Sequence, residues 1–308
     1  PARTAGRVLG RVAEQAQLAA QLDALAAGTG AVVLIEGEPG VGKSRLVAAL
    51  ARAAEARGIG CIEGQADAIE RGTVYYAWRA ILRALLAAAG ATDVETQRER
   101  LVALCAGEAT LAGWLPLVED VLPLGFAPDA ALARMGEEAR AEATRELLLH
   151  VLHRLIGGRP LVIVLEDAHW LDSLSWGLAV RLRRQEPTLL LSLTLRSGHA
   201  PVGDAARALL AQAALRLALA AFARADTAAL VAERLGAREL DAATLELIHA
   251  RSEGHPLFSE ELAFALRDAG LLTVVDGVAR LAEGAQTTAR SLPATVEGVI
   301  GALSLIHI

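Results

Sequence analysis

Residues 31–46 decide the fold, and they read Ala-Val-Val-Leu-Ile-Glu-Gly-Glu-Pro-Gly-Val-Gly-Lys-Ser-Arg-Leu. The apolar run at 31–35 is typical of a strand that is buried on both faces of a parallel sheet. Residues 37–44 then fit the pattern G-x-x-x-x-G-K-[ST], and residues 45–57 continue as a helix rich in Ala and Leu. A strand, a glycine-rich loop and a helix in this order predict a phosphate-binding loop, or P-loop.

The residue types in this loop suit phosphate chemistry. Its glycines can adopt positive φ, and they let backbone N–H groups close around phosphate oxygens without a clash from Cβ. The positive end of the following helix points at the same anion. Lys43 would bring a positive charge to the β- and γ-phosphates, and the hydroxyl of Ser44 would ligate Mg²⁺. The residues predicted to bind the nucleotide here are Gly37, Glu38, Pro39, Gly40, Val41, Gly42, Lys43, Ser44 and Arg45.

The use of lysine supports this prediction. Of the 30 Lys and Arg residues only one is Lys, and it is Lys43. An ammonium group is a compact point charge that a guanidinium fork does not replace. The alternative is a chance match in a glycine-rich loop, and the flanking strand and helix argue against it. We therefore interpret the loop as a nucleotide site.

The composition limits the class of protein. A chain of 308 residues can hold one α/β domain with one or two smaller pieces. Apolar residues make up 54% and aromatic residues 3%, which suits a helix-rich cytoplasmic protein. The net charge of −6 argues against direct contact with nucleic acid. No apolar run approaches the roughly 18–20 residues that a membrane-spanning helix needs, so no membrane partner is expected. Because the chain begins at Pro1 rather than Met, we interpret it as a fragment.

Further apolar and helical patterns give the expected organisation, an α/β fold with a P-loop parallel sheet and flanking helices. A helical insertion at about 65–158 separates the second and third strands. A helical lid follows the sheet, and then a hairpin that turns at Asp276-Gly277. The predicted strands cover residues 31–35, 58–64, 160–165, 189–195 and, more weakly, 215–222. The predicted divisions are 1–29, a loop and helix leading into the nucleotide-binding domain; 30–223, the P-loop domain; 224–270, the lid; and 271–308, the hairpin and the start of a winged-helix-like or helical domain.

Two acids follow the third strand. Glu166 and Asp167 lie where that strand ends, and ligands of open parallel sheets bind beyond the carboxyl ends of the strands. One acid would hold Mg²⁺ and the other would orient the attacking water, and by position we assign the metal to Glu166 and the water to Asp167. The reverse assignment, and a role in capping the next loop, stay open. Arg196 at the end of the fourth strand would reach the γ-phosphate or is simply an exposed strand-end residue.

Four stretches in this order carry a family resemblance: GEPGVGKS at 37–44, LVIVLEDAHWLD at 161–172, LTLRSG at 193–198 and EGHPLFSEEL at 253–262. Together they resemble the STAND class of signal-transduction ATPases, relatives of AAA+ proteins. The resemblance implies that Gly10 and Arg11 form a motif near the adenine. It also implies that Pro256, in the Gly254-His255-Pro256 motif, lies against the base, and that Arg196 is a γ-phosphate sensor.

Finer detail resembles one branch of this class. The segments at 74–79, 166–172, 262–271 and 292–296 look like the ATPase modules attached to class III adenylate and guanylate cyclases and to large helix-turn-helix transcription regulators. This resemblance implies a regulatory switch that binds ATP and Mg²⁺ and hydrolyses ATP slowly. It also implies effector and sensor domains outside this chain, and nucleotide-dependent self-association.

Two other functions remain open from the sequence. The first is an oligomeric AAA+ motor, which needs an arginine supplied by a neighbouring subunit, for which Arg181, Arg183 and Arg184 are candidates. The second is a scaffold that holds nucleotide without turnover. Glu260 and Glu261 are interpreted as acids that the dipole of a helix favours in its first turn. Trp170 is interpreted as a packing residue.

Overall fold

A computed structural model of the chain describes residues 9–199 and 203–282. The chain divides into two compact units. The sheet unit comprises residues 14–36 and 47–217, and the lid unit comprises residues 1–13, 37–46 and 218–308. The winged-helix-like or helical domain expected to start after the hairpin lies outside the described residues. The four-part division of the chain that the sequence suggests stays a prediction.

The sheet unit contains a five-stranded sheet with the strand order β2-β3-β4-β1-β5. The pairings of β1 with β4, of β3 with β4 and of β2 with β3 are all parallel. The predicted α/β fold with a parallel sheet is therefore confirmed. The strands are β1 (Val32–Glu36), β2 (Gly60–Gln65), β3 (Leu161–Glu166), β4 (Leu189–Leu195) and β5 (Ala213–Ala218).

Burial separates the central strands from the edge strands. Every residue of β3 and β4 is buried, as are the first four residues of β1, because these strands are covered on both faces. The edge strands β2 and β5 keep exposed positions. The strand predicted at 215–222 begins and ends earlier, at Ala213 and Ala218. An edge strand has a weak apolar signal because one side of it has no neighbouring strand, and its ends are harder to place from sequence.

Helices surround this sheet. The predicted insertion between β2 and β3 consists of α3 to α7 with one 3₁₀ turn, Leu115–Asp120. The first residues of α1 and α2 belong to the lid unit. The short helix α9, which precedes β5, was not expected from the sequence. The helices to this point are α1 (Val12–Ala26), α2 (Lys43–Glu55), α3 (Tyr76–Ala88), α4 (Val94–Leu104), α5 (Ala109–Trp114), α6 (Ala130–Ala133), α7 (Glu137–Ile156), α8 (Ser173–Gln185) and α9 (Asp204–Ala211).

Asp172 caps the N-terminus of α8. Its side chain accepts hydrogen bonds from the backbone N–H of Ser175 at 2.9 Å and from the Ser175 hydroxyl at 2.5 Å. It also accepts the N–H of Tyr75 at 3.1 Å, so that one carboxylate caps α8 and holds the residue that precedes α3. Burial raises the pKa of the Tyr75 phenol to about 12.

The lid unit has its own small core. Its elements beyond the P-loop are α10 (Arg224–Leu235), β6 (Glu239–Leu240), α11 (Ala242–Ser252), α12 (Pro256–Asp268), β7 (Leu272–Val275) and β8 (Val278–Leu281). The buried residues Val231, Ile248, Leu262, Leu266 and Leu272 pack together between these elements. The predicted hairpin is present: β7 and β8 pair antiparallel, and Asp276 and Gly277 both have positive φ, as a tight two-residue turn requires. Within the described residues, no helix combines the length and the apolar character needed to cross a bilayer.

Gly64 in β2 provides a test of how closely α3 approaches the sheet. A Cβ at Gly64 would lie 2.2 Å from the carbonyl oxygen of Ala77 in α3, and that backbone oxygen cannot move aside. We expect Gly64→Ala to lower the free energy of unfolding by about 1–3 kcal/mol, measured by urea denaturation. Gly113→Ala is the control, because no atom lies within 4 Å of its Cβ position. Equal denaturation midpoints for the two variants would contradict this packing.

Candidate functional site

The P-loop connects β1 to α2 and belongs to the lid unit. Lys43 is the first residue of α2, and its Nζ donates hydrogen bonds to the carbonyl oxygens of Gly37 at 2.7 Å and Glu38 at 3.0 Å. Val41 is buried, whereas Ser44 on the first turn of α2 is exposed. The loop therefore folds back over its own lysine, next to the positive end of a helix of 13 residues.

Two of the loop glycines have backbone conformations that other residues rarely adopt. Gly40 has φ of +79° and Gly42 has φ of +105°. A Cβ at Gly40 would also lie 2.8 Å from Cε1 of His255 and 3.0 Å from Leu257, both at the start of α12. At Gly37 a larger residue is excluded by contact rather than by φ, since a Cβ there would lie 2.6 Å from Val41. The glycine pattern is thus a requirement of this backbone and of its close packing.

The N-terminal arginine of the Gly10-Arg11 motif contacts the P-loop. Gly10 and Arg11 both have positive φ. The guanidinium of Arg11 donates to the carbonyl oxygen of Val41 at 3.4 Å and to that of Ala220, and it lies 4.9 Å from the centre of the Phe222 ring. Arg11 therefore ties the loop to the segment that leads into α10.

The start of α12 also contacts the P-loop. Pro256 is the first residue of the helix, where a missing N–H costs nothing. The imidazole Nε2 of His255 lies 2.8 Å from the carbonyl oxygen of Pro39, and because a carbonyl only accepts, this nitrogen carries the donated proton. The His255 ring stacks on Phe258 with 4.3 Å between the ring centres.

Arg45 is held by α12. Its Nη2 lies 2.6 Å from Oε1 and 2.9 Å from Oε2 of Glu260, and Nε of Arg234 in α10 lies 3.3 Å from Oε2. Glu260 is 8% exposed. The interpretation of Glu260 as a first-turn acid is wrong, because it is the fifth residue of α12 and its carboxylate pairs with two arginines. Glu261 is exposed.

The two acids lie at the carboxyl end of β3, in the sheet unit. Glu166 is the last residue of the strand and is 8% exposed. Asp167 follows with φ of +51°, and its backbone N–H donates to the hydroxyl of Thr194 in β4 at 2.8 Å. Arg196 comes directly after β4 and is half-buried. Glu166, Asp167 and Arg196 thus follow adjacent strands of one parallel sheet.

The aromatic side chain beside these acids packs as the sequence suggests. The guanidinium of Arg71 lies 3.7 Å from the centre of the Trp170 ring, a cation–π contact, and the His169 ring is 4.7 Å from the same tryptophan. Across residues 9–199 and 203–282, no cluster of three or more His, Cys, Asp or Glu side chains has the arrangement of a metal site. A Mg²⁺ held by one or two side chains and by phosphate oxygens does not need such a cluster.

Sequence reasoning missed several contacts in this region. Inside the lid unit the structure brings together Gly10, Arg11, the P-loop and Pro256, all of which the sequence named. It adds His255, Phe222, Arg234 and Glu260, and in the sheet unit Thr194. A partial signal was present for Glu260, since it neighbours Ser259, Leu262 and Leu266 on the face of α12 that becomes buried.

A family model described as "AAA ATPase domain" matches residues 7–195, which is more than half of the chain. The chain belongs to the AAA ATPase family. A second model, described as a domain of unknown function (DUF8739), matches residues 224–280 of this AAA ATPase. The chain is an AAA ATPase-type nucleotide-binding module. The P-loop described above carries the family's phosphate-binding pattern.

Solved structures show the same fold. The AAA ATPase chain superimposes on the RuvB Holliday junction branch migration motor of Thermotoga maritima with a TM-score of 0.52 and 16% identity, over 94% of this chain and 72% of that one. The Orc1 protein of Aeropyrum pernix, solved in complex with DNA, gives a TM-score of 0.52 and 17% identity over 92% of this chain and 65% of that one. The corresponding values for Cdc6p of Pyrobaculum aerophilum are 0.52, 12%, 88% and 65%.

A curated relative is much longer than this AAA ATPase chain. An uncharacterized protein of Rhizobium meliloti (strain 1021) is 28% identical over 208 residues, which is 64% of this chain. The match covers 19% of the relative, so the chain spans about a fifth of the length of the protein that it matches.

Thr194 provides a test of how Asp167 is held in this AAA ATPase. Thr194→Val keeps the shape of the side chain but removes the oxygen that accepts the Asp167 N–H. We expect a loss of about 1–3 kcal/mol in the free energy of unfolding, measured by urea denaturation. Ser192→Ala on the same strand is the control, because the buried Ser192 hydroxyl has no hydrogen-bond partner among the described residues. Equal losses in the two variants would contradict the role of the Thr194 hydroxyl.

Proposed function

We propose that this chain is a Mg-ATP-binding and slowly ATP-hydrolysing switch module of the STAND class. One observation carries the proposal. Three sequence-distant parts that the sequence assigns to the nucleotide, the P-loop, Arg11 and the start of α12, make direct contacts within the lid unit, and Arg11 also contacts the segment at 220–222. Family membership supports a nucleotide as the ligand.

The residues of the loop fit a triphosphate. Gly40 and Gly42 have positive φ and no Cβ atoms, so their backbone can approach an anion closely. The helix α2 begins directly after the loop. Lys43 lies where that helix begins, and its Nζ, which bonds to two loop carbonyls, would exchange them for phosphate oxygens. Ser44 is exposed on the first turn of α2, and its hydroxyl would ligate the metal.

The adenine would lie beside Gly10, Arg11 and Pro256. Arg11 and Phe222 form a stacked pair, and Pro256 begins α12 next to the His255–Pro39 contact. Arg11 and Phe222 carry planar groups of the kind on which a base stacks, and Pro256 is buried at the start of α12. Their common membership in the lid unit supports the assignment.

For hydrolysis we propose that Ser44 and Glu166 hold Mg²⁺, that Asp167 orients the attacking water and that Arg196 responds to the γ-phosphate. The metal would neutralise charge that develops on the transferred phosphoryl group. Within the sheet unit, Glu166 is the last residue of β3, Asp167 follows it, and Arg196 follows the neighbouring strand β4. The reverse assignment of the two acids stays open.

We further propose that the module regulates an effector outside these residues, a cyclase or a DNA-binding domain, in a cytoplasmic protein that also carries a sensor region. The motifs shared with cyclase-linked and helix-turn-helix ATPase modules support this context. The curated relative is about five times as long as the part that matches, which leaves room for such effector and sensor regions. The proposal assigns no direct nucleic-acid contact to this region.

A comparison of two variants tests ATP binding and turnover separately. We expect Lys43→Ala to lower the affinity for Mg-ATP at least about tenfold, because the change removes the charge that neutralises the phosphates. We expect Asp167→Asn to keep binding but to lower phosphate release by about a hundredfold or more, because the amide cannot take the proton of water. Binding is measured by equilibrium titration with a fluorescent ATP analogue, and turnover by phosphate release.

The control is Arg154→Ala, which removes one positive charge from an exposed position of α7. Phosphate release no higher than background in both the wild type and Asp167→Asn, together with lost binding in Lys43→Ala, would favour the scaffold that holds nucleotide without turnover. Equal binding in Lys43→Ala, Arg154→Ala and the wild type would contradict the proposed site.

An oligomeric AAA+ motor is the second candidate, and the fold likeness to the RuvB motor favours it. Of the three arginines considered for action in a neighbouring subunit, Arg181 pairs with Glu142, and Arg183 donates to the carbonyl oxygen of Gly30. Arg184 is exposed at the end of α8, which makes it the strongest of the three.

Light scattering after size-exclusion chromatography tests the motor. Under the switch proposal we expect small assemblies with a non-hydrolysable ATP analogue and magnesium, and unchanged phosphate release in Arg184→Ala. Ring-sized assemblies and a loss of phosphate release in Arg184→Ala would instead establish the motor.

A further inference from the structure

The carboxylate of Glu260 is buried between two arginines of the lid unit. Glu260 is 8% exposed, and its oxygens lie 2.6 and 2.9 Å from the Arg45 guanidinium and 3.3 Å from the Arg234 guanidinium. Taking a carboxylate out of water costs several kcal/mol unless it is paired. Arg234 is partly buried, with 25% of its side chain exposed, whereas Arg45 is 43% exposed, so the buried members of the group are Glu260 and Arg234.

The three side chains come from three different helices. Arg45 follows Ser44 directly and lies on the first turn of α2, Glu260 is on α12, and Arg234 is on the last turn of α10. The sequence separation between Arg45 and Glu260 is 215 residues. A change in the direction of the first turn of α2 therefore acts on the helices of the lid through one carboxylate.

A second contact holds the other end of the loop to the same helix. His255 precedes α12 and donates to the carbonyl oxygen of Pro39, and Gly40 packs against His255 and Leu257. Contacts from the first two turns of α12 thus lie on both sides of the segment 41–44 in the sequence. That segment holds the lysine and the serine assigned to the phosphates and the metal.

We propose that Glu260 is a positioning residue that couples nucleotide binding in the P-loop to α10 and α12. The inference rests on the proposed function, since it gives that nucleotide site its link to the lid. By holding Arg45, Glu260 fixes the first turn of α2 and keeps the loop ready for phosphate. A ligand that moves this turn shifts the lid by the same coupling, because linkage is reciprocal.

Glu261 provides a matched control. It is the next residue of α12, carries the same charge and is exposed. Glu260→Gln and Glu261→Gln therefore remove the same charge from adjacent positions, and only the first breaks the contacts with Arg45 and Arg234.

The first experiment measures affinity for Mg-ATP with the fluorescent analogue. We expect Glu260→Gln to weaken binding about tenfold and Glu261→Gln to leave it unchanged. In an Arg45→Met background we expect Glu260→Gln to have little further effect, since the two changes remove one interaction. A purely structural role would lower the thermal midpoint of Glu260→Gln without changing the affinity of the folded protein. Unchanged or tighter binding, or additive losses in the double variant, would overturn the proposal.

The second experiment needs no nucleotide. Hydrogen exchange of the backbone amides at 37–46 reports how firmly the loop is held. We expect faster exchange of these amides in Glu260→Gln than in the wild type or Glu261→Gln. Exchange that is the same in all three proteins would overturn the coupling even if the wild type binds ATP. If the wild type binds no nucleotide, the proposed function fails, while faster exchange in Glu260→Gln would still establish that Glu260 positions the loop.

Discussion

The structure depends on one constraint: the P-loop is rich in glycines and needs contacts from other parts of the chain to hold it. Gly40 and Gly42 have no side chains to pack, and both have positive φ. The loop is held by other parts of the chain, namely Arg11 on the carbonyl of Val41, His255 on the carbonyl of Pro39 and Glu260 on Arg45. For this reason residues 37–46 belong to the same compact unit as residues 218–308.

Local patterns were sufficient for most of the fold. The continuous apolar runs of β3 and β4 reflect strands covered on both faces, so these strands could be placed from sequence. The bounds of α7 and the cap of α8 by Asp172 were also predictable, because Gly157 and Asp172 have the conformations that end and begin helices. The edge strand β5 and the eight-residue helix α9 lack such signals, and one was misplaced and the other missed.

The functional site was less predictable from the sequence than the fold. A motif with fixed spacing identifies the loop, and residues at strand ends identify Glu166, Asp167 and Arg196 as candidates. The partners that hold these residues could not be found in this way. Thr194 lies in the stretch LTLRSG, but nothing in that stretch identifies it as the acceptor for the Asp167 N–H, and the pair of Arg45 with Glu260 joins residues that are 215 positions apart. Such contacts depend on how helices pack, which no local spacing encodes.

The position and the rarity of Lys43 determine how chemical modification would affect the loop. It is the single lysine of the sequence, and its Nζ is bonded to the carbonyl oxygens of Gly37 and Glu38. An acyl group on this nitrogen would remove the positive charge and leave one N–H, which is too few to donate to both carbonyls. Any reagent or enzyme that acylates lysine side chains therefore has one target in this chain, and that target is the amine at the centre of the loop.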